Sequence, residues 1–267
     1  MMKIGFIGLG NMGGSLARLV AQDERFRSEL LLANRSRDKA EKIAAEVGGQ
    51  PVSNAEVFAQ AEVIFLGIKP AQFADLLTEY QEILEKRESL LLVSMAAGLP
   101  LEKLEKMIPS HHRWIRIMPN TPVAVGEGVI TYALSQQANQ ADEDLLRELL
   151  SSAGLLVKLE EKQLDAATAL AGCGPAFVYL FIEALADAGV RAGLSRDVSL
   201  HLANQTLLGA AKLSQVSGQH PAQLKDQVCS PAGSTIAGVA SLEENVFRGT
   251  VMAAVQAAYK RTQELGK

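Results

Sequence analysis

The sequence predicts an α/β chain, with a doubly wound parallel sheet over residues 1–159 followed by an all-α half over residues 160–267. Three observations lead there. Short apolar runs alternate with longer amphipathic stretches through the first half, a glycine-rich turn follows the first run, and predicted strands vanish after Leu159. Strand–helix–strand repetition is the pattern of a sheet covered on both faces. A chain of this length buries about 73% of its unfolded surface, ample for a core without disulfide or metal support.

The strands are expected at residues 3–7, 30–33, 63–68, 90–94, 114–118 and 129–132. Each is mostly Ile, Leu, Val and Phe with little alternation, as in strands buried on both faces. Helical spacing with exposed charge places helices at 15–21, 38–46, 71–84 and 101–107. After Leu159, Ala-rich helical segments are punctuated at Gly193, at 218–221 and at 230–233. Residues 175–190 leave no polar stripe on a helix, and such a helix must be covered all round. A helical half of this size has difficulty enclosing it, which points to a subunit interface and a homodimer or higher homo-oligomer.

Charge and cysteine usage narrow the classes. With 26 basic and 30 acidic side chains the net charge is −4, and no basic run suggests nucleic acid as a partner. Cys173 and Cys229 are far apart, in no ligand-like spacing, so neither a disulfide framework nor a metal site is expected and a reducing, cytoplasmic setting fits. The apolar start imitates a secretion signal, but Asn11 and five glycines interrupt it. Glu183 and Asp187 break the best membrane-spanning candidate, so no membrane is expected. The four histidines lie in polar or turn contexts, where surface placement explains them better than catalysis.

The turn Gly8-Leu9-Gly10-Asn11-Met12-Gly13 follows the first strand and opens the first helix. A dinucleotide site requires this arrangement: a tight turn, close backbone approach to a pyrophosphate, close helix–strand packing, and helix-terminal amides facing the phosphates. The sheet half is therefore expected to be Rossmann-type. At the end of the second strand an NAD site usually carries an acid, whereas this chain reads Asn34-Arg35-Ser36. Arg35 suits a 2′-phosphate, so NADPH is expected, with NADH as the second candidate; the plain alternative makes Ser36 a helix cap and Arg35 a solvated charge. Ile68, Lys69 and Pro70, Ala96 and Ala97, and Asn120 lie at three further strand ends along the same sheet edge. Pro70 starting a helix and a turn at Gly98 are the competing readings there.

In the helical half, the stretch from Asp226 to Thr235 stands apart. Pro231 ends one helix and Ser234 begins another, leaving the Ser230, Ser234 and Thr235 hydroxyls beside helix-start amides at Gly233. Such a corner suits a carboxylate; helix capping is the alternative.

With these residues in view the chain resembles the pyrroline-5-carboxylate reductase family over essentially its full length. The resemblance rests on Pro221-x-x-Leu224 through Val228-Cys229-Ser230-Pro231-Ala232-Gly233-Ser234-Thr235, the opening glycine loop, Lys69-Pro70, Met118-Pro119-Asn120-Thr121-Pro122 and Gly172-x-Gly174-Pro175. Ala232 stands where the family often has Gly, and Gln227 where Asn is frequent. The resemblance implies reduction of a cyclic imine, 1-pyrroline-5-carboxylate, to L-proline, the last step of proline biosynthesis, by a nicotinamide hydride, and a helical dimerisation domain. It implies that Ser230, Gly233, Ser234 and Thr235 hold the substrate, with Thr235 the catalytic hydrogen-bond donor. Asp226, Gln227 and Glu161 would lie near, and Asn54 would touch the cofactor. A β-hydroxyacid dehydrogenase would share the glycine opening but needs a Lys, with an Asn one turn on, in the helix near Gly174; that helix has neither. A non-catalytic NADP-binding sensor is the reading from another class.

Overall fold

The computed structural model describes residues 2–265. In chain order, the glycine loop lies between β1 (Ile4–Ile7) and α1 (Asn11–Val20), followed by α2 (Glu24–Arg27), β2 (Leu30–Ala33), α3 (Arg37–Val47), β3 (Gln50–Pro51), α4 (Asn54–Gln60) and β4 (Val63–Leu66). Then come α5 (Phe73–Glu79), α6 (Gln81–Lys86), β5 (Leu91–Ser94), α7 (Leu101–Glu105), β6 (Arg113–Pro119), β7 (Gly128–Leu134), α8 (Gln140–Leu149) and β8 (Gly154–Lys158). The helices α9 (Leu164–Ala167), α10 (Gly174–Arg191), α11 (Arg196–Ser217), α12 (Pro221–Gln227), α13 (Ser234–Glu244) and α14 (Phe247–Leu265) complete the chain.

The eight strands form one sheet in the order β3-β2-β1-β4-β5-β6-β7-β8. Alternate residues of each buried strand feed opposite layers. Ile4, Phe6, Leu30, Leu32, Val63 and Phe65 join α1, α3 and α8 on one face. Ile7, Leu31, Ile64, Leu66, Leu92 and Trp114 join α4 to α7 on the other. The Phe6 and Phe65 rings stack at 4.7 Å, adding about 1 kcal/mol beyond their burial.

One pairing departs from the expected parallel sheet: β7 runs antiparallel to β6. Residues 120–127 are too few for a crossover, which needs a dozen or more, so the chain turns straight back. α8 then restores a parallel step from β7 to β8. Two strands escaped the sequence reading, β3 and β8. β3 is an exposed two-residue edge and β8 is at most half-buried, so neither carries a continuous apolar run. The expected helix at 71–84 is broken at Tyr80 into α5 and α6 after a short turn at Pro70–Gln72.

The residues fall into two compact units, one running through Cys173 and resuming at Ala258, the other Gly174–Ala257. The first unit extends past the composition change near residue 160 because the segment after β8 packs on the sheet. Leu164 is fully buried in the second layer, and the buried Arg116 of β6 bonds Glu161 at 3.4 Å and Asp165 at 3.2 Å. In the second unit α10 and α11 are long and leave large apolar side chains exposed, among them Val178, Tyr179 and Leu180. By length and composition alone, one helical stretch among the described residues, Glu161–Arg191, could cross a membrane.

His112 corrects the expectation of four surface histidines, being only 2% exposed. Its Nδ1 accepts from the Leu90 amide at 3.1 Å, and its Nε2 is 3.0 Å from the Leu84 carbonyl, which needs a proton on that nitrogen. The neutral ring satisfies both partners, and burial holds its pKa below the ordinary 6.5. A folded pKa below the unfolded one means stability is intact above the unfolded pKa and is lost as pH falls below it. Urea unfolding should therefore show a steeper loss of stability below pH 6.5 for the wild type than for His112→Gln. Parallel curves would show that His112 carries no such linkage.

Candidate functional site

The first site lies at the carboxyl ends of β1, β2 and β4, where the strand order reverses and an open α/β sheet collects ligands. Gly8 takes a left-handed φ of +91°, which turns the chain out of β1 toward α1. A Cβ on Gly13 would strike the Gly8 carbonyl, so only glycine lets α1 start this close to the strand. A Cβ on Gly67 would meet the same carbonyl from the β4 side. Gly10 is the N-cap of α1 and offers no side-chain cap, leaving the first-turn amides of Asn11, Met12 and Gly13 for an anion.

A cleft of about 600 Å³ opens from this loop. Gly8, Gly10, Asn34, Arg35, Ser36, Asn54, Ile68 and Lys69 line it, as the sequence expects. Gly67, which opens the Ile68-Lys69-Pro70 strand end, also lines it, and Ile7, Gln72, Asp75, Leu76 and Glu79, which the sequence reading missed, complete its walls. Asn34 is a brace: its Oδ1 accepts from the Leu9 amide at 3.0 Å and its Nδ2 donates to the Ser36 carbonyl at 3.1 Å. Ser36 is the N-cap of α3 but its hydroxyl makes no capping bond, and Arg35 is exposed without an acidic partner among the described residues. Both remain available to a ligand. Asn54 is the first residue of α4, whose start is fixed by a capping box between Ser53 and Glu56.

Other expected residues stand differently. Pro70 begins a helical turn, and Met12 is half-buried against the core. Ala96 is 1% exposed and donates its amide to the Ser94 hydroxyl at 3.2 Å, while Ala97 is half-buried beside it. Gly98 turns left-handed at φ +72° and Pro100 caps α7, so the competing turn also exists here. Asn120 is buried with both amide atoms engaged, its Nδ2 to the Ala171 carbonyl at 3.0 Å and its Oδ1 to the Val129 amide at 2.8 Å. It clamps the end of β6. Glu161 accepts from the Leu101 amide at 2.6 Å and pairs with Arg116, so its carboxylate steadies the loop that carries Ala96 and Ala97. On that geometry Glu161→Gln should cost roughly 1–3 kcal/mol of stability and leave the substrate KM within about twofold. A tenfold KM rise at full stability would instead mark Glu161 as a substrate contact.

The second site lies between α12 and α13. Ser234 opens α13, and its N-cap is Gly233, extended at φ −79° and without a side-chain cap. The Gly233 amide bonds the Ser230 carbonyl at 3.1 Å, and a Cβ on Gly233 would collide with the Ser230 hydroxyl. Ser230, Ser234 and Thr235 are exposed, and their hydroxyls find no partner among the described residues. Three hydroxyls and a free helix start make a donor-rich corner for a carboxylate. Asp226 pairs with Lys225 at 2.7 Å, and Gln227 bonds Gln219 at 2.9 Å. Ala232, not a glycine, holds a left-handed φ of +56°. Ala232→Gly should therefore raise stability by about 1 kcal/mol in urea unfolding, and a loss would contradict strain at that turn.

The glycine cradle at the point where the strand order reverses is the geometry of a dinucleotide-binding protein. Comparison with known proteins agrees. Residues 161–265 match the model "Pyrroline-5-carboxylate reductase dimerisation", and residues 3–98 match "NADP oxidoreductase coenzyme F420-dependent". The chain is 45% identical to a pyrroline-5-carboxylate reductase of Glycine max, over 98% of this chain and 95% of that one. It is 44% identical to the Pisum sativum protein of the same name, with the same coverage. It superimposes with a TM-score of 0.88 on the crystal structure of Plasmodium falciparum pyrroline carboxylate reductase with NADP bound, at 37% identity over 100% of this chain and 98% of that one. The chain belongs to the pyrroline-5-carboxylate reductase family.

Proposed function

We propose that this protein reduces the cyclic imine 1-pyrroline-5-carboxylate to L-proline with NADPH, the last step of proline biosynthesis. The observation that carries the reading is the pair of sites in one chain: an uncapped α1 start behind a glycine cradle, and the hydroxyl corner at the start of α13. The cradle fits a dinucleotide because the backbone approaches where Cβ atoms are absent, and Asn34, where an NAD site carries an acid, does not repel a 2′-phosphate.

When bound, the coenzyme supplies a hydride to the imine carbon. The chain's residues bind and orient. The loop amides of Asn11, Met12 and Gly13 take the pyrophosphate, Arg35, Ser36 and Asn54 take the adenosine end, and the strand ends at Lys69 and Ala97 border the nicotinamide end. The Ser230 and Ser234 hydroxyls and the first-turn amides of α13 hold the substrate carboxylate, and Gly233, without a Cβ, leaves room for the Ser230 hydroxyl among them. The reacting form is the imine protonated from solvent, whose C=N π pair becomes the nitrogen lone pair on reduction, and Thr235, far too weak an acid to supply the proton, donates a hydrogen bond to that pair as it develops. No strong acid is needed when two rings are aligned at close range.

The protein acts as a homo-oligomer in which the exposed apolar side chains of α10 and α11 are covered by a second copy, since a face of this kind is costly in water. Its two free cysteines and lack of a disulfide fit a reducing compartment, the cytoplasm. The test is steady-state oxidation of NADPH and of NADH by purified protein, with the five-membered imine and its six-membered relative. Turnover dependent on the five-membered imine, with NADPH preferred, supports the reading; coenzyme binding without turnover would favour the sensor. Gly233→Ala should raise the imine KM roughly tenfold, the worth of one displaced hydrogen bond, with the NADPH Kd unchanged. A shifted NADPH Kd would count against the corner as a substrate element.

A further inference from the structure

We infer that Asn120 is a positioning residue for hydride transfer: its amide latches the turn leading into α10 against the end of β6, and this fixes the nicotinamide end of the site without contributing to coenzyme affinity. The inference rests on the imine-reductase reading above. Asn120 directly follows β6, one strand beyond β5 in the sheet order and on the same carboxyl edge as Ala96 and Ala97. A dinucleotide crosses that edge from β2 past β1 toward β4 and β5, so the end of β6 is the next position beyond the nicotinamide ring. Asn120 is only 7% exposed. Its Oδ1 accepts from the Val129 amide at 2.8 Å and closes the β6–β7 connection, while its Nδ2 donates to the Ala171 carbonyl at 3.0 Å.

The sequence itself leaves that carbonyl in need of a donor. Residues 168–172 form a single wide turn, closed by the Cys173 amide on the Thr168 carbonyl at 2.9 Å, a π-type bond five residues back. Turns of this width are frequent at functional sites. Four residues past Ala171, where a regular helix would supply an N–H, stands Pro175, which has none. Little else holds the turn. Ala169 is its one buried residue, Leu170 is exposed, and Gly172 and Gly174 bring no side chain to pack. Breaking the Asn120 bond therefore loosens the segment that ends at Gly174 and leaves the glycine-loop amides, which take the pyrophosphate, as they are. Rate is the sensitive quantity, because a misplacement of about 1 Å between reacting groups costs on the order of a hundredfold.

Two variants test the latch, by hydrogen exchange and by kinetics. In Asn120→Ala, deuterium uptake at residues 168–173 of the coenzyme-free protein should quicken at least about tenfold. Its kcat with the five-membered imine should fall at least about tenfold while the NADPH Kd, measured by titration, stays within about twofold. Asn120→Asp keeps the shape and makes the latch titratable. The ionised carboxylate still accepts from the Val129 amide but repels the Ala171 carbonyl, whereas the protonated acid donates its O–H there as the amide does. Relative to the wild type at the same pH, its kcat should rise at least about threefold from about pH 8 to about pH 6, and its exchange at 168–173 should slow, since burial beside a carbonyl favours the neutral acid. The same-pH ratio cancels the groups both proteins share: Arg116 with Glu161 and Asp165, Tyr132 with Glu143, and Glu127 after the short turn. A deficit that does not vary with pH, an NADPH Kd that rises as far as kcat falls, or exchange as slow as in the wild type overturns the assignment. Absence of imine turnover in the wild type overturns the functional reading instead, and the exchange measurement then still decides whether the latch exists.

Discussion

Gly13→Ala is expected to abolish coenzyme binding, raising the NADPH Kd by about a hundredfold or more, equivalent to roughly 3 kcal/mol. The added methyl would strike the Gly8 carbonyl, a backbone atom of a residue whose amide donates to the Ala33 carbonyl at 2.9 Å and so ties the loop to β2. α1 must then shift away from β1, and its amides leave the position that meets the pyrophosphate. Overpacking of this kind also costs about 1–3 kcal/mol of stability. Titration of the folded variant with NADPH measures the first effect and urea unfolding the second. Gly10→Ala separates the two effects: a Cβ there meets no protein atom within 4 Å, so stability should hold, while the methyl would face the pyrophosphate and weaken NADPH binding. An equal loss of stability from both substitutions would contradict the steric account.

Thr235→Ala is expected to lower kcat by one to three orders of magnitude, a loss of about 1.4–4 kcal/mol of transition-state stabilisation. The hydroxyl is exposed at the first turn of α13 and serves no capping bond, so its removal should leave stability within about 0.5 kcal/mol. The NADPH Kd should also stay unchanged. Thr235→Ser, which keeps the donor, should recover most of the rate. Unchanged kinetics in the alanine variant would remove Thr235 from the chemistry.

The parts of the fold that could be read from the chain are those set by local pattern. The strands around residues 3–7, 30–33 and 63–68 announce themselves because both faces are buried, so nearly every residue is apolar. The glycine loop and the break before Pro231 are local turn chemistry, and the helix start at Ser234 follows from it. What depends on distant partners was not legible. β3 and β8 gain strand geometry from neighbours across the sheet, and the reversal at β7 follows from a connection length whose meaning needs the sheet around it. Asn34 and Asn120 carry amides that look free to bind a ligand, yet each has both amide atoms committed to backbone groups, most of them remote in sequence. Glu161 meets its partners Leu101 and Arg116 only because the segment after β8 folds back over the sheet. His112 looks like a loop residue until Leu84 and Leu90 are brought to its two nitrogens.

Transfer of the hydride itself is the most direct measurement. With NADPH deuterated at the transferring position and 1-pyrroline-5-carboxylate, purified protein should release L-proline carrying a single deuterium at the former imine carbon, and Thr235→Ala should slow its appearance. Unlabelled product, or no proline while NADPH is demonstrably bound, would contradict the assignment of the glycine cradle and the α13 corner to one imine reduction.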